Sequence, residues 1–424
     1  MVKKGIALML GLLLALTSLS ALAAEKTTIR YMTFEDGDWQ KFSDSFIQSY
    51  MEKNPDVTIQ YEPTSYDECM TKLKTTIAAG TAPDVVWADA FLEMVSKGAF
   101  LPLDDFIAKY QVDLSAYNQA MIDMCTYEGK LYALCGWSGM TAIFYNKEIF
   151  DNAGVPYPQE GWTWDDVSRI APLLTSGEGA DKIYALNFNL DWMGAIETIC
   201  WGNGARLFSE ETMEIAGAMN SDKMVEALTW YTSFVKNGYA PQASTLKAMG
   251  GSADEMFKAG KLAMTYGFFG FISSLKANGG FDMDKLGVIH LPVGEAGMKP
   301  CVNTLFTTPM CITRDSKNPE EAFKFLLSRV SGDVMREFCG NGWATPAMPS
   351  LVPELGLLDS PLTHYFGDVL ANSDKYIFPK PTGNYHPQYS QITDALIDAV
   401  TKIVIENMDV RQALDEAVQT LANE

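Results

Sequence analysis

The stretch from Thr27 to Trp87 leaves this chain few ways to fold. Thr27 to Thr33 reads as a strand, and the residues after it place Trp39, Phe42, Phe46, Ile47 and Tyr50 on one face of a 3.6-residue period until Asn54-Pro55 stops the helix. Val57 to Tyr61 is a second strand. Ser65-Tyr66-Asp67-Glu68 is a capping box that opens a helix with Met70, Leu73 and Ile77 inward and Gly80 at its C-terminal end. Asp84 to Trp87 is then a short buried strand. Five alternating elements with so little chain between them require right-handed crossovers and a parallel sheet covered on both faces, so the fold class is α/β.

The middle of the chain is more helical and more aromatic. Thr163-Trp164-Asp165-Asp166 caps one helix, Ser221 to Lys236 forms another with Met224, Val225, Leu228 and Tyr231 inward, and Gly260 to Tyr266 reads as a buried strand. Asn318-Pro319-Glu320-Glu321 starts a helix with proline at its first position. Helices over about 391–406 and 409–421 close the chain. The 424 residues carry no internal repeat and no low-complexity linker, which fits two lobes joined by short crossings.

The N-terminus is read as a secretory signal. Lys3-Lys4, the apolar run from Gly5 to Leu16 and the small residues ending Ala21-Leu22-Ala23 supply its three regions, with cleavage expected after Ala23 and Ala24 as the runner-up. The run is shorter than the roughly 20 residues needed to span a bilayer, and no cysteine at the cleavage site offers a point for lipid attachment. Without Lys3 and Lys4, 30 basic residues face 53 acidic ones and the charge is −23. Such a surface repels nucleic acid and anionic membranes. A secreted or periplasmic protein is expected. All seven cysteines fall after the signal, in a compartment where disulfides can form. An odd number leaves at least one unpaired, and buried packing is the expected role for most. Cys125 and Cys135, which flank a hairpin over Tyr127 to Tyr132, are the one nominated pair.

Catalytic constellations are lacking. The three histidines (His290, His364, His386) are far apart and none sits in a His-Glu-x-x-His arrangement; Gly136-Trp137-Ser138-Gly139-Met140 fails the nucleophile elbow, and Gly202-Asn203-Gly204 lacks the third glycine of a dinucleotide loop. No cofactor or metal is expected. The distinctive feature is tryptophan. Trp39, Trp137, Trp192, Trp201 and Trp343 sit where a helix interior is not their natural home, whereas Trp87, Trp162, Trp164 and Trp230 lie on strand or helix faces and read as core. An aromatic face stacks on the C–H face of a sugar ring while nearby Asp, Asn and Glu satisfy its hydroxyls; the competing role for each ring is filling the core. Asp89 follows the apolar strand Val85-Val86-Trp87 at its carboxyl end, where open α/β sheets place ligands. Its other role would be to cap a helix over Phe91 to Lys97.

Several motifs in order resemble the family 1 extracellular solute-binding proteins, the maltose-binding-protein-like sugar receptors of ABC importers. They are Ala79-Gly80-Thr81-Ala82-Pro83-Asp84-Val85-Val86, Glu128-Gly129-Lys130-Leu131-Tyr132-Ala133-Leu134 leading into Tyr145-Asn146-Lys147-Glu148-Ile149-Phe150, Ala153-Gly154-Val155-Pro156 with Trp162-Thr163-Trp164-Asp165-Asp166, Ser316-Lys317-Asn318-Pro319-Glu320-Glu321-Ala322, and Gln412-Ala413-Leu414. The resemblance implies a two-lobe periplasmic-binding-protein fold of type II, with a hinge and a ligand cleft between the lobes. Lobe I would hold 24–137 and 292–342, and lobe II 138–291 and 343–424. The ligand contacts it implies are Glu35 and Trp39 after strand one, Tyr66, Asp89, Trp137, Trp192 on the central platform, Phe268 or Phe269, Asn303 and Trp343. At Gly267-Phe268-Phe269 this chain departs from a Gly-Pro-Trp-like turn, keeping a ring but losing an indole donor.

The expected function is capture of a mono- or oligosaccharide for delivery to the membrane permease subunits of an ABC importer, by a monomer that performs no covalent chemistry. A polyamine or other small polar solute on the same fold, and a secreted glycosidase, are the alternatives. The exported protein should begin at Ala24 without acylation: its intact mass should fall by that of residues 1–23, and a retained N-terminus or a diacylglycerol adduct would refute this.

Overall fold

The computed structural model describes residues 26–35, 37–190, 192–248, 252–277, 279–302 and 309–423. The signal segment and Asn303 lie outside them. The chain divides into two compact units, Met1–Val86 with Asp315–Phe325 and Trp87–Arg314 with Leu326–Glu424.

In the first unit, β1 (Thr27–Phe34) pairs in parallel with β2 (Val57–Thr64) from Thr27↔Val57 to Phe34↔Thr64. On its other edge it pairs with the start of β3 (Val85–Trp87) at Tyr31↔Val85 and Met32↔Val86. The helices Gly37–Lys53 and Tyr66–Ala78 make the two crossovers. Phe42, Ile47 and Tyr50 of the first turn inward as the period demands, and the second ends at Gly80, whose φ of +67° is a conformation glycine adopts without Cβ strain. Two motifs 232 residues apart in sequence meet at Asp84, whose carboxylate accepts from the Arg30 backbone N–H at 2.9 Å and from the Ser316 hydroxyl at 2.5 Å. Phe325, from the helix that opens at Pro319, packs edge-on against Tyr31 and Tyr50 at 5.1 and 5.2 Å.

The second unit opens with the short helix Phe91–Val95. The hairpin of β4 (Thr126–Tyr127) and β5 (Lys130–Leu131) follows, where the sequence places it. Two short strands, β6 (Ala133–Leu134) and β7 (Trp137–Ser138), lead into a four-stranded sheet built from β8 (Thr141–Asn146), β9 (Tyr184–Asn187), β10 (Leu262–Phe268) and β11 (Leu286–Ile289) in the order β11-β8-β10-β9. β8 runs antiparallel to both neighbours, and β10 runs parallel to β9. β12 (Met310–Ile312) pairs antiparallel with β6, and β13 (Thr345–Pro346) with β7.

All six residues of β8 are buried because the sheet has a core on each face. Ile143 and Tyr145 join the larger core, with the helices Trp164–Leu174, Asp222–Lys236, Tyr389–Ile405 and Val410–Ala422. Ala142 and Phe144 join the other, with Phe257, Phe271 and Phe366. The period of two thus sends alternate side chains into different cores.

Each capped helix forms as its sequence indicates. Thr163 accepts from the Asp166 N–H at 3.3 Å while the Asp166 carboxylate accepts from the Thr163 N–H at 2.9 Å, the reciprocal pair of a capping box. Asp89 is not the cap of the next helix: Ala90 occupies that position without a side-chain cap bond.

Candidate functional site

The helix Met193–Trp201 organises the candidate site in the second unit. Its sequence, Met-Gly-Ala-Ile-Glu-Thr-Ile-Cys-Trp, is apolar almost throughout, and all nine residues are buried. Trp192 stands at its N-cap, partly exposed, with its inner side on the larger core. Its ring lies 6.1 Å from Tyr266 and 5.6 Å from Phe268, both at the C-terminal end of β10. The ring folds back so far over the helix that a Cβ at Gly194 would come within 2.4 Å of it. Gly194 is therefore required for this ring position.

The turn after β10 is shaped by a second close approach. Gly267 sits opposite Ala142 in the strand register, and a Cβ there would lie 3.1 Å from the Phe144 ring. Phe268 then remains partly exposed beside Trp192, while Phe269 is buried against Phe366 at 5.0 Å. Of the two rings the sequence left open, Phe268 is the one the structure leaves accessible. Gly270 abuts the Trp343 carbonyl, where a Cβ would lie 2.8 Å from the oxygen, and the Ser273 hydroxyl donates to the Gly342 carbonyl at 2.7 Å. These contacts hold the partly exposed Trp343 beside the turn.

Two tryptophans of the sequence reading sit inside the fold. Trp137 is 2% exposed, stacked on Phe338 at 4.1 Å with the Arg329 guanidinium 4.5 Å from its ring centre. The ring is enclosed by Phe338, from the helix Gly332–Gly340, and by Arg329, while β7 itself is paired with β13. Trp201 ends the buried helix beside Cys301. Of the four tryptophans read as core, Trp87, Trp162 and Trp164 are buried, and Trp230 stacks on Trp164 at 4.3 Å while staying partly exposed.

Below the Trp192 helix lies a polar group that the sequence reading missed. Glu197 is 1% exposed. Its Oε1 accepts from the Thr382 N–H at 3.1 Å and the Thr382 hydroxyl at 2.5 Å, while Oε2 has no hydrogen-bond partner among the described residues. Burial pushes its pKa up to about 8 against the pull of the Thr382 bonds and the Arg206 charge, so the side chain carries a proton at neutral pH. The signal was present: Glu197 is the one charged residue in an otherwise apolar helix. Thr382–Tyr385 packs on Phe91–Val95, and a Cβ at Gly383 would lie 3.4 Å from both the Asp89 carbonyl and the Tyr389 ring. Asp89 itself is partly exposed. The buried Glu93 nearby accepts from Ser390 at 2.7 Å and Lys97 at 3.2 Å.

The first unit holds a separate aromatic group at the carboxyl end of β1. Phe34 meets Tyr66 edge-on at 5.4 Å and Trp39 at 6.3 Å. Tyr66 is 42% exposed and Trp39 partly so. Glu35, by contrast, is buried and accepts from the Tyr61 hydroxyl at 2.5 Å. Among the described residues no group of three or more His, Cys, Asp or Glu could hold a metal, and no helix is long and apolar enough to cross a membrane. A surface hollow of 280 Å³ lined by Tyr157, Glu160, Trp162 and Arg169 contains none of the candidate residues.

Residues 32–326 match the family described as bacterial extracellular solute-binding protein, and the chain belongs to that family. It is a solute-binding protein, not an enzyme. The fold is the α/β fold of two-lobe binding proteins: an ABC substrate-binding protein of Listeria monocytogenes, solved in complex with cycloalternan, superposes with a TM-score of 0.80 at 25% identity, covering 94% of this chain and 98% of that one. A galactooligosaccharide-binding protein of Bacillus subtilis (strain 168) is 23% identical over 381 residues, 87% of this chain and 83% of its own. A putative binding protein of Brucella abortus (strain 2308) is 24% identical over 302 residues, 69% of each chain.

Glu197 gives this site a pH signature. The folded carboxyl keeps its proton to about pH 8, whereas an ordinary Glu releases it near 4.5. The folded state is thus favoured most below pH 4.5 and loses that advantage as pH rises to 8, a change on the order of 4 kcal/mol. Glu197→Gln cannot ionise, so chemical denaturation should show the variant gaining on wild type by that order between pH 5 and 8.5. A stability difference that does not vary with pH would mean that the buried carboxyl stays ionised.

Proposed function

We propose that the protein captures a carbohydrate, a mono- or oligosaccharide, outside the cytoplasm and delivers it to the membrane permease subunits of an ABC importer. The observation that carries this reading is the Trp192 ring. It is partly exposed, pinned by Gly194 and flanked by Phe268, a flat apolar face of the kind that stacks on a sugar. In the same unit Trp343 adds an exposed aromatic edge and Asp89 a carboxylate for hydroxyl groups, and the first unit carries an exposed aromatic edge of its own at Trp39 and Tyr66. Trp137, Phe269 and Glu35 are buried and enter the proposal as packing rather than as ligand contacts. The relatives named for galactooligosaccharide and crystallised with cycloalternan support the same ligand class.

The disposition of carboxylates favours a sugar over a polyamine. Glu35 is engaged by Tyr61, Glu93 by Lys97 and Ser390, and Glu197 carries a proton, so these three do not surround an amine with negative charge. The lobe division at 24–137 with 292–342 and 138–291 with 343–424, cleavage after Ala23 and a monomeric state belong to this proposal.

A panel of mono- and oligosaccharides read by thermal shift should identify the ligand, since one at a hundredfold its Kd stabilises by about 2.7 kcal/mol. With that sugar, Trp192→Ala should lose about 1.5–3 kcal/mol of affinity, roughly ten- to a hundredfold. Trp230→Ala, which removes the partly exposed ring of the Trp164 stack, should lower apo stability and leave affinity unchanged. Unchanged affinity in Trp192→Ala would remove this ring from the site, and the aromatic platform with it.

A further inference from the structure

Three of the seven cysteines gather where β4, β6 and β12 come together. Cys125 precedes β4, Cys135 follows β6, and Cys311 lies in β12 opposite Ala133. Hairpin geometry brings the first two into contact. Thr126 pairs with Leu131, and the Tyr132 N–H donates to the Cys125 carbonyl at 3.0 Å, which closes the loop and leaves the two Sγ atoms 3.3 Å apart. Both are buried thiols. A disulfide has its sulfurs about 2.05 Å apart, so the pair needs an approach of only about 1.2 Å, within the reach of side-chain rotation.

We propose that Cys125 and Cys135 are a disulfide-forming site, oxidised in the exported protein by thiol–disulfide exchange with an extracytoplasmic dithiol oxidant in its disulfide form. One cysteine thiolate attacks a sulfur of the oxidant's disulfide, forming a mixed disulfide and releasing the first oxidant thiolate. The second cysteine thiolate then attacks the cysteine sulfur of that mixed bond and releases the other. The pair loses two electrons and two protons, and the oxidant's disulfide becomes two thiols. The structure sets the timing. Contact with Cys135 and burial both raise the Cys125 thiol well above its ordinary pKa, so the thiolate that exchange requires is scarce once the hairpin has closed. Oxidation therefore belongs to the folding chain, and the folded reduced protein resists it. Cys311 is the competitor: burial, with a contribution from Cys135, raises its thiol too, but strand pairing to β6 fixes it beside the hairpin rather than across its open end.

The bond would tie the hairpin to the segment that enters β7 through Gly136 and Trp137. The test uses the full chain exported by a host with an extracytoplasmic thiol oxidase, quenched in acid, denatured and alkylated with iodoacetamide. Intact mass should show five alkylated cysteines, rising to all seven when reduction precedes alkylation. Trypsin cuts at Lys130 between the two cysteines, so the unreduced digest should contain a linked pair of peptides holding Cys125 and Cys135. Cys311→Ser should keep that pair. Seven alkyl groups without reduction, or a linkage through Cys311, would overturn the proposal.

Discussion

Complete burial of the helix Met193–Trp201 is the constraint on which the second unit's candidate site rests. A helix with no solvent-facing side leaves its single carboxyl no water, so Glu197 has to carry a proton and find donors within the protein. Thr382 supplies two, and in doing so fixes the turn Thr382–Tyr385, on which Asp89 and Tyr389 close through Gly383. The same burial fixes the helix N-terminus, and with it the place where Trp192 emerges.

The first unit reaches an exposed aromatic edge by another route. A parallel sheet brings its ligand-side residues to the carboxyl ends of its strands. Phe34, the last residue of β1, becomes the anchor for Tyr66 and Trp39, which come from the starts of the two crossover helices. Asp84 ties that sheet to Ser316, so a motif from late in the chain completes a unit otherwise built from its beginning.

The alternating elements from Thr27 to Trp87 were legible because period and punctuation agreed there, as were the capped helices at Thr163, Ser221 and Pro319. The mixed sheet of the second unit was less so. β8 is buried on both faces and β7 is two residues long, and neither a continuous apolar run nor a dipeptide announces its pairing partners. At the site, sequence context separated Trp192 and Trp343 from Trp87, Trp162 and Trp164, but it could not show that Phe338 and Arg329 enclose Trp137. Whether a ring faces water depends on elements distant in sequence. Glu197 belongs to no motif or cluster of charge, and its significance lies in being alone among apolar neighbours.

Gly194 gives the aromatic platform a mark that can be found in a bare sequence. The Trp192 ring lies where the side chain of any other residue at this position would be. Two residues after an aromatic, at the start of an apolar helix, a glycine permits the ring to lie back on the helix, and an alanine or anything larger forces it upright. Across relatives, the residue at this spot therefore reports the tilt of the ring, even though it need never touch anything that the ring meets.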